Sequence, residues 1–258
     1  MRAVEKGTWA RRLTWAALLL SLGGTAAALI AAVGSGQGAW EFGQGFAILR
    51  YAFFAAIAGG LLAMVALVLC RRAGRRGGRL NLLSLAVSLL FVGYLGNQIA
   101  TARSVPAIHD AATNLDDLPQ FRALRVREDY LKNVPDEGDP ALAAMEPEAR
   151  WKAIHRRAYG DLKTLHVPWT PGETLNKARM VAEKKGWAIA HVDPARGLLE
   201  ATDTTRFFRF KDDVVVRVRA APKGGSNVDM RSISRVGGSD VGVNAARIRD
   251  YLEDLRRS

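Results

Sequence analysis

Residues 13–33 read LTWAALLLSLGGTAAALIAAV, a run of 21 residues without a charged side chain. At about 1.5 Å of rise per residue, a helix of this length covers the roughly 30 Å hydrocarbon core of a bilayer. Two further apolar runs, Tyr51–Cys70 and Leu80–Ala100, have the same character. Because a membrane-spanning backbone has to satisfy its own hydrogen bonds, all three runs are predicted to be helices. Residues 1–100 are therefore predicted to be a membrane anchor, with transmembrane helices at about 13–33, 51–70 and 80–100.

The composition of these runs favours an anchor over a transporter. Transporters and proton relays place ionisable residues inside the membrane, and the three runs contain no Asp, Glu, His, Lys or Arg. Small residues at four-residue spacing instead indicate surfaces where helices approach closely, in a three-helix bundle or a homo-oligomer. They form two stripes, Gly24, Ala28 and Ala32 in the first run, and Ala55, Gly59 and Ala63 in the second.

The charged segments that flank the runs predict the orientation. Residues 71–79 hold five arginines, and short Lys/Arg-rich loops stay in the cytoplasm. The loop 34–50 has one acid and one base, so it is assigned to the opposite side. The third helix then delivers residues 101–258 to that side, as an extracytoplasmic domain, periplasmic in a Gram-negative cell. A cleaved signal peptide is the alternative for the first run, but its apolar segment is longer than the usual 7 to 15 residues.

The distribution of charge and the cysteine and histidine content limit which partners, metals and cofactors are expected. Of the formal charge of +12, residues 1–100 carry +8 and residues 101–258 carry +4. The excess therefore flanks the apolar runs, which is a topology signal rather than a nucleic-acid footprint. The expected partners are the lipid bilayer, an anionic lipid or an envelope protein. The only cysteine is Cys70, and the four histidines lack metal-ligand spacing, so neither a metal nor a cofactor is expected.

The exported part has the pattern of an α+β domain with an antiparallel sheet and flanking helices. One helix is predicted around 148–158. Another begins at Thr170-Pro171-Gly172-Glu173, which offers an N-cap, a proline and a capping-box glutamate, and it ends at Gly186. A closing helix has the apolar face Val241, Ala245, Ile248, Leu252 and Leu255. Between these two helices, strands are predicted at 187–192, 198–204, 207–210, 214–220 and 228–236.

Several of these segments resemble one family in their order along the chain. The segments are Asp212–Val218, Val228–Gly237 and Ser239–Ile248, with a lead-in that contains Ile108-His109-Asp110 and Pro119-Gln120-Phe121. Together they resemble the bacterial and plastid family called domain of unknown function 1499, over roughly Pro106 to Leu255. The resemblance implies where the exported domain begins and ends, and it implies no activity.

The density of polar residues around the last hairpin and helix suggests an anion site. Arginines on neighbouring strands share one face, and a helix follows whose free N–H groups and dipole favour an anion. The alternative is structural: Asp240 caps the helix while Asp212, Asp213 and Asp229 pair with the arginines. The predicted ligand-binding residues are Arg217, Arg231, Arg235, Ser239, Asp240, Asn244 and Arg247.

Three other residues are secondary candidates. His109 and Asp110 could be a base and its orienting carboxylate, although neighbours on an extended strand point to opposite faces. Glu200, among apolar neighbours, could be a buried acid or half of an ion pair. We therefore expect a membrane-anchored envelope protein whose exported domain binds an anionic ligand, a lipid or an envelope partner. An envelope hydrolase acting on an anionic substrate and a purely structural or interaction module are the alternatives.

Overall fold

A computed structural model describes residues 2–72, 74 and 78–258 of the chain. Three long helices come first: α1 (Arg2–Gly36), α2 (Phe42–Arg72) and α3 (Gly78–Ser104). All three are long and apolar enough to cross a membrane by length and composition, which confirms the predicted helical anchor. Arg75 and Arg76 of the predicted cytoplasmic loop lie outside the described residues.

The small-residue stripes allow α1 and α2 to pack closely, as predicted. A Cβ atom added at Gly59 would lie 2.5 Å from Ser21 Oγ, and one added at Gly24 would lie 3.0 Å from the carbonyl oxygen of Ala52. Such distances leave no room for a side chain, so the glycines set the separation of the two helices. Ser21 also hydrogen-bonds Ser88 of α3 across 2.9 Å. A hydrogen bond of this kind fixes helix register where lipid supplies no hydrophobic drive.

The chain forms two compact units. The first contains the helices as far as Ala100, together with Arg206–Arg209, and the second contains Thr101–Thr205 and Phe210–Ser258. The second unit is the α+β domain that the sequence predicts. Its elements in chain order are β1 (Asp110–Ala112), α4 (Pro140–Ala143), α5 (Pro147–Ala158), β2 (Leu165–Val167), α6 (Pro171–Lys184), β3 (Ala188–Asp193), β4 (Leu198–Thr204), β5 (Lys211–Ala220), β6 (Ser226–Ser234) and α7 (Val243–Arg257).

All strand pairings in this unit are antiparallel, in the order β1-β6-β5-β4-β3, with β2 also paired to β6. The predicted strand at 207–210 is wrong, because these residues lie in the loop that joins β4 to β5. Their aromatic composition suggested a strand, but Arg209 has a φ of 52° and turns the chain back. The capping box of α6 is confirmed, since the Thr170 side chain accepts from Glu173 N–H and Glu173 accepts from Thr170 N–H.

One face of the sheet packs against α6 and α7 and forms the apolar core. Val214, Val216 and Met230 point to this helix face, and they are at most 1% exposed. Tyr251 of α7 is also fully buried, and its hydroxyl donates to the carbonyl of Ala178 in α6 at 2.7 Å. Apolar burial of this kind contributes roughly 25 cal/mol per Å² of area removed from water. The middle of the helix face is thus an apolar core, and a buried polar cluster that includes Asp212, Asn244 and Arg247 lies beside it.

Candidate functional site

The opposite face of the sheet is also buried, but it carries charges. We call it the charged face, and it is covered by residues 113–133, which contain no helix or strand and which we call the cover loop. Side chains of β4, β5 and β6 point into this interface because of the antiparallel register, which places Glu200 opposite Val215 and Val215 opposite Arg231. The charged face includes Glu200, Thr202, Asp213, Val215, Arg217, Asp229 and Arg231, with Asp110 of β1 at its edge and Arg235, just after β6, bonded to Asp213.

Arg231 and Asp110 form the most deeply buried ion pair of this face. Both side chains are only 2% exposed, and the guanidinium donates to both carboxylate oxygens at distances of 2.6–3.2 Å. Phe121 and Tyr130 of the cover loop place their rings within 6 Å of the guanidinium carbon. Burial raises the pKa of Asp110, while the neighbouring Arg231 lowers it. The donors of Arg231 are therefore held by a carboxylate of the chain itself.

The other two arginines of this face are paired in the same way. Arg217 donates to Asp229 at 3.0 Å and also to the side chain and backbone carbonyl of Asp117 in the cover loop. Arg235 forms a two-point contact with Asp213 at 2.8 Å. These contacts are those of the structural alternative, and they join the sheet to its cover.

Glu200 is engaged by backbone amides. Its side chain is fully buried, and its two carboxylate oxygens accept hydrogen bonds from the successive N–H groups of Arg122, Ala123 and Leu124 at 2.7–3.2 Å. Successive amides that converge in this way form an anion-binding concavity. Here the anion is the carboxylate of Glu200 in β4, and its hydrogen bonds hold the middle of the cover loop against the sheet.

Of the remaining predicted site residues, Asn244 and Arg247 lie on the helix face, so the sheet separates them from the three arginines above, and Ser239 and Asp240 lie in the loop that leads into α7. Arg247 of α7 donates to Asp203 at 2.9 Å and to Asp212 at 2.6 Å. Asn244 accepts from Ser232 and Arg247, both at 2.6 Å. The predicted set is thus split into two groups of paired residues, and ligand binding by either group stays a prediction.

The loop before α7 is shaped by Asp240. Gly242 is the N-cap residue of α7, and the Asp240 carboxylate accepts from the N–H groups of Gly242 and Asn244, both at 2.8 Å, so it satisfies a free N–H group in the first turn of the helix from two residues before the cap. Ser239 accepts from the N–H of Val241 at 3.1 Å. Val241 has a φ of 57°, an unfavourable conformation for a β-branched residue, and the surrounding hydrogen bonds hold it there.

His109 and Asp110 do not act as a pair. Asp110 bonds Arg231, whereas His109 bonds the carbonyl of Gly238, and its buried Nε2 atom has no hydrogen-bond partner among residues 2–72, 74 and 78–258. Burial, followed by the charge of Arg127, lowers the pKa of His109. As predicted from the alternation of strand residues, the two side chains point to different surroundings.

A histidine that the sequence did not single out lies beside β1. Trp151 and His155 of α5 satisfy the free edge of this strand: the Trp151 indole donates to the carbonyl of Asp110, and His155 Nε2 accepts from the N–H of Ala112, both at 3.1 Å. Burial, with a contribution from Arg156, lowers the pKa of His155 to about 4, so the ring is neutral near pH 7. The only sequence signal was its place on the apolar face of α5, which is equally typical of a core histidine.

His155 also lines a pocket between the end of α5 and the start of the cover loop. We call it the α5 pocket; it has a volume of about 480 Å³. This volume lies within the range typical of small-molecule sites. Its lining residues are Thr113, Asn114, Leu115, Asp116, His155, Arg156, Tyr159, Gly160, Leu162, Lys163 and Thr164. Within the part of the chain that the structure describes, no group of three or more His, Cys, Asp or Glu side chains is arranged to hold a metal ion.

A family model matches most of the exported domain. The family model DUF1499, described as a protein of unknown function, matches residues 109–255. This range contains all six strands of the sheet, from β1 to β6. No curated protein matches the chain.

Proposed function

Because the chain belongs to the DUF1499 family, which is described only by its unknown function, we propose from the geometry that it is a membrane-anchored binding module whose exported domain binds an anionic ligand. The three helices hold the domain at the plasma membrane, and the domain lies on the extracytoplasmic side. The arginine-rich loop between α2 and α3 supports this orientation, since such loops stay in the cytoplasm.

The distribution of paired and unpaired charge carries the proposal. The carboxylates of the charged face form ion pairs with arginines or accept hydrogen bonds from backbone amides. In contrast, several exposed cations have no carboxylate within ion-pair distance among the described residues. They include Arg122, Arg125, Lys132, Lys163 and Lys211. The outer surface therefore has uncompensated positive charge, which attracts anions and raises their local concentration.

The same pairing weighs against the hydrolase alternative. A general base needs a side chain that is free to accept a proton from the substrate or from water. Asp110 is held by Arg231 and Glu200 by three amides, so both carboxylates already have structural roles. Binding, which needs no such group, fits the arrangement better.

Native mass spectrometry of the full-length protein, purified in mild detergent and incubated with an envelope extract, tests the proposal. We expect an anionic adduct at low ionic strength that weakens as salt is added, because exposed charges are screened at about 8–10 Å near physiological salt. An adduct of neutral molecules alone, or no adduct, would contradict the proposal.

The orientation is tested in a Cys70→Ala background with an impermeant maleimide on intact spheroplasts. Lys223→Cys should be labelled, and Arg72→Cys, on the cytoplasmic side, should be protected.

A further inference from the structure

Four residues of the connection between β4 and β5 belong to the unit of the three long helices. They are Arg206–Arg209, with the sequence RFFR, and we call them the RFFR loop. The two flanking residues tie its ends together. The N–H of Thr205 donates to the carbonyl of Phe210 at 2.9 Å, and the N–H of Phe210 donates to the Thr205 hydroxyl at 2.8 Å. The four residues therefore form one tight, defined tip.

The RFFR loop packs against the ends of α1 and α2 that the loop 37–41 connects. The Phe208 ring stacks on Phe46 of α2, with a centroid distance of 4.9 Å and an interplanar angle of 20°. Two glycines make room for this contact. A Cβ atom added at Gly45 would lie 3.1 Å from the Phe208 ring, and one added at Gly36 would overlap the carbonyl oxygen of Phe207. A larger residue at either position would crowd the loop.

This contact lies at the level of the lipid headgroups. Phe46 precedes Tyr51, where the second apolar run begins, by five residues, which is about 7.5 Å along a helix. Gly36 follows Val33, where the first run ends, by three residues, or about 4.5 Å. The headgroup layer on each side of the hydrocarbon core is roughly 5–8 Å thick. Both helix positions, and the RFFR loop in contact with them, fall within this layer.

The exposed side chains of the loop are of the kinds that a membrane interface accommodates. Phe207 is 44% exposed, and Phe42 and Phe46, whose rings are 6.4 Å apart, are exposed to a similar degree. Arg206 and Arg209 are also exposed, and neither has an ion-pair partner within the part of the chain that the structure describes. Exposed apolar patches mark interaction sites. Aromatic rings and long cationic side chains together are typical of the membrane–water boundary.

Charge complementarity favours anionic lipid over a second copy of the chain. A guanidinium group forms two parallel hydrogen bonds with a phosphate, and basic residues near the surface attract anionic lipids. A second copy that met this surface across a twofold axis would bring Arg206 and Arg209 against the same two arginines. Such a contact places like charges together, whereas a lipid phosphate neutralises them.

We propose that the RFFR loop is a lipid-binding element. Phe207 inserts between the headgroups of the leaflet next to the loop 37–41, and Arg206 and Arg209 bind the phosphate groups of anionic phospholipids. This site lies in the unit of the three long helices. It therefore goes beyond the anionic ligand proposed for the exported domain and does not depend on that ligand.

Spin labelling measures the depth of the loop directly, because Cys70 is the only cysteine of the chain. The full-length protein, in a Cys70→Ala background, carries a nitroxide at Phe207→Cys and is held in nanodiscs of phosphatidylcholine and phosphatidylglycerol. The matched label is at Lys223→Cys, in the turn between β5 and β6. We expect oxygen to relax the label at position 207 more than a water-soluble nickel chelate does, and the reverse at position 223. Equal access of the chelate to both labels would overturn the proposal.

Phosphorus-31 NMR of the same nanodiscs identifies the bound lipid, because the two phospholipids give separate signals and the nitroxide at position 207 relaxes nearby phosphates. We expect phosphatidylglycerol to relax faster than phosphatidylcholine. Arg206→Gln together with Arg209→Gln should abolish this preference, since each basic residue near an anionic surface favours binding by roughly fivefold. Lys184→Gln together with Lys223→Gln removes the same charge from exposed positions elsewhere and should keep the preference.

Equal relaxation of the two lipids with both arginines present would overturn the proposal, and so would a preference that survives their replacement as it does in the lysine control. Both arginines are exposed, so the double variant should keep the melting temperature of the unaltered protein. Native mass spectrometry separates this proposal from the anionic ligand of the exported domain. The adduct of that ligand should persist in the double arginine variant, whatever the behaviour of the RFFR loop.

Discussion

The two faces of the sheet are both buried, but different interactions attach the layer that covers each face. The helix face packs Val214, Val216 and Met230 against α6 and α7, whereas the charged face packs Arg231 and Glu200 against the cover loop. A helix satisfies most of its own backbone hydrogen bonds, so non-directional apolar contacts hold most of α6 and α7, and side-chain pairs such as Arg247 with Asp212 add to them at one end. An irregular loop has no such internal pairing, and each buried N–H and carbonyl needs a partner from elsewhere.

The charged side chains of the sheet supply those partners. Glu200 accepts from three amides of the cover loop, and Arg217 donates to the carbonyl of Asp117 at 2.7 Å. Arg127 of the loop in turn donates to the carbonyl of Gly237 at 2.6 Å. The arginines and acids that looked like a ligand site from sequence thus replace the secondary structure that the second layer lacks.

The largest effect is expected from breaking the Arg231–Asp110 pair. Arg231→Leu leaves Asp110 buried without its partner, which should lower the free energy of unfolding by about 3–5 kcal/mol. Adding Asp110→Leu should restore much of the loss, since an apolar pair of suitable volume can replace a buried ion pair. Thermal unfolding in detergent measures both variants.

Arg219→Leu is the control for this pair, because Arg219 and its partner Asp117 are both more than half exposed. It should cost about 0–1 kcal/mol. If Arg231→Leu were as mild as this control, the charged face would contribute no more than an ordinary surface, and the contrast with the helix face would disappear.

The dependence of stability on acid pH should show whether protonation of His155 or protonation of the charged face destabilises the protein. The pKa of His155 falls from its ordinary 6.5 to about 4 in the fold, so the unfolded chain binds the proton more readily between these values. Stability should therefore fall as the pH drops from 6.5 to 4, by up to about 3 kcal/mol. The lowered pKa of His109 acts in the same direction, and the raised pKa values of Asp110 and Asp240 act against it.

His155→Gln isolates this contribution, since glutamine does not titrate in this range. Melting temperatures measured from pH 7 to pH 4 should decline less steeply in the variant than in the unaltered protein. An unchanged slope would assign the acid sensitivity to other groups, in the first place to His109.

The smallest and most local effect is expected from Glu200→Gln. An amide can still accept from one or two of the three loop amides, but the charge that strengthens these bonds is lost, which should cost about 1–3 kcal/mol. The loss should be felt mainly by the cover loop. Hydrogen exchange should accelerate at Arg122, Ala123 and Leu124 and remain slow in β5 and β6.

Limited trypsin digestion gives a second measure, because Arg122 and Arg125 offer cleavage sites in the cover loop. Glu128→Gln, an exposed change in the same loop, should be cut at the rate of the unaltered protein. Equal protection in Glu200→Gln would show that the loop is held chiefly by its other contacts.

Much of the architecture was predictable because it depends on local or periodic signals. Uninterrupted apolar runs specify membrane helices through their length, and the Thr170 to Glu173 segment specifies the start of α6 through its capping box. Alternation along β5 and β6 correctly predicted that arginines of these neighbouring strands share one face, as Arg217 and Arg231 do. The prediction of a strand at 207–210 was wrong because aromatic residues favour a strand only where a neighbouring strand pairs with them. These residues lie instead in the loop between the end of β4 and the start of β5.

The hydrogen-bond and ion-pair partners of the charged residues could not be predicted from local or periodic signals. Asp110 and Arg231 are 121 positions apart, and His155 and Ala112 are 43 apart. No local rule connects such residues, because their distance depends on how the strands and the cover loop are assembled. The α5 pocket escaped notice for this reason, since its wall joins Asn114, His155 and Lys163 from three separate segments.

The sequence by itself determined the three apolar helices, the α+β class of the following domain and the family, since hydrophobic length, periodicity and motif order are properties of the chain. Only the tertiary structure decided which charges are paired inside the protein and which remain exposed on its surface. An arginine has the same charge in either role, and it is the carboxylate or amide brought to it by folding that satisfies its donors.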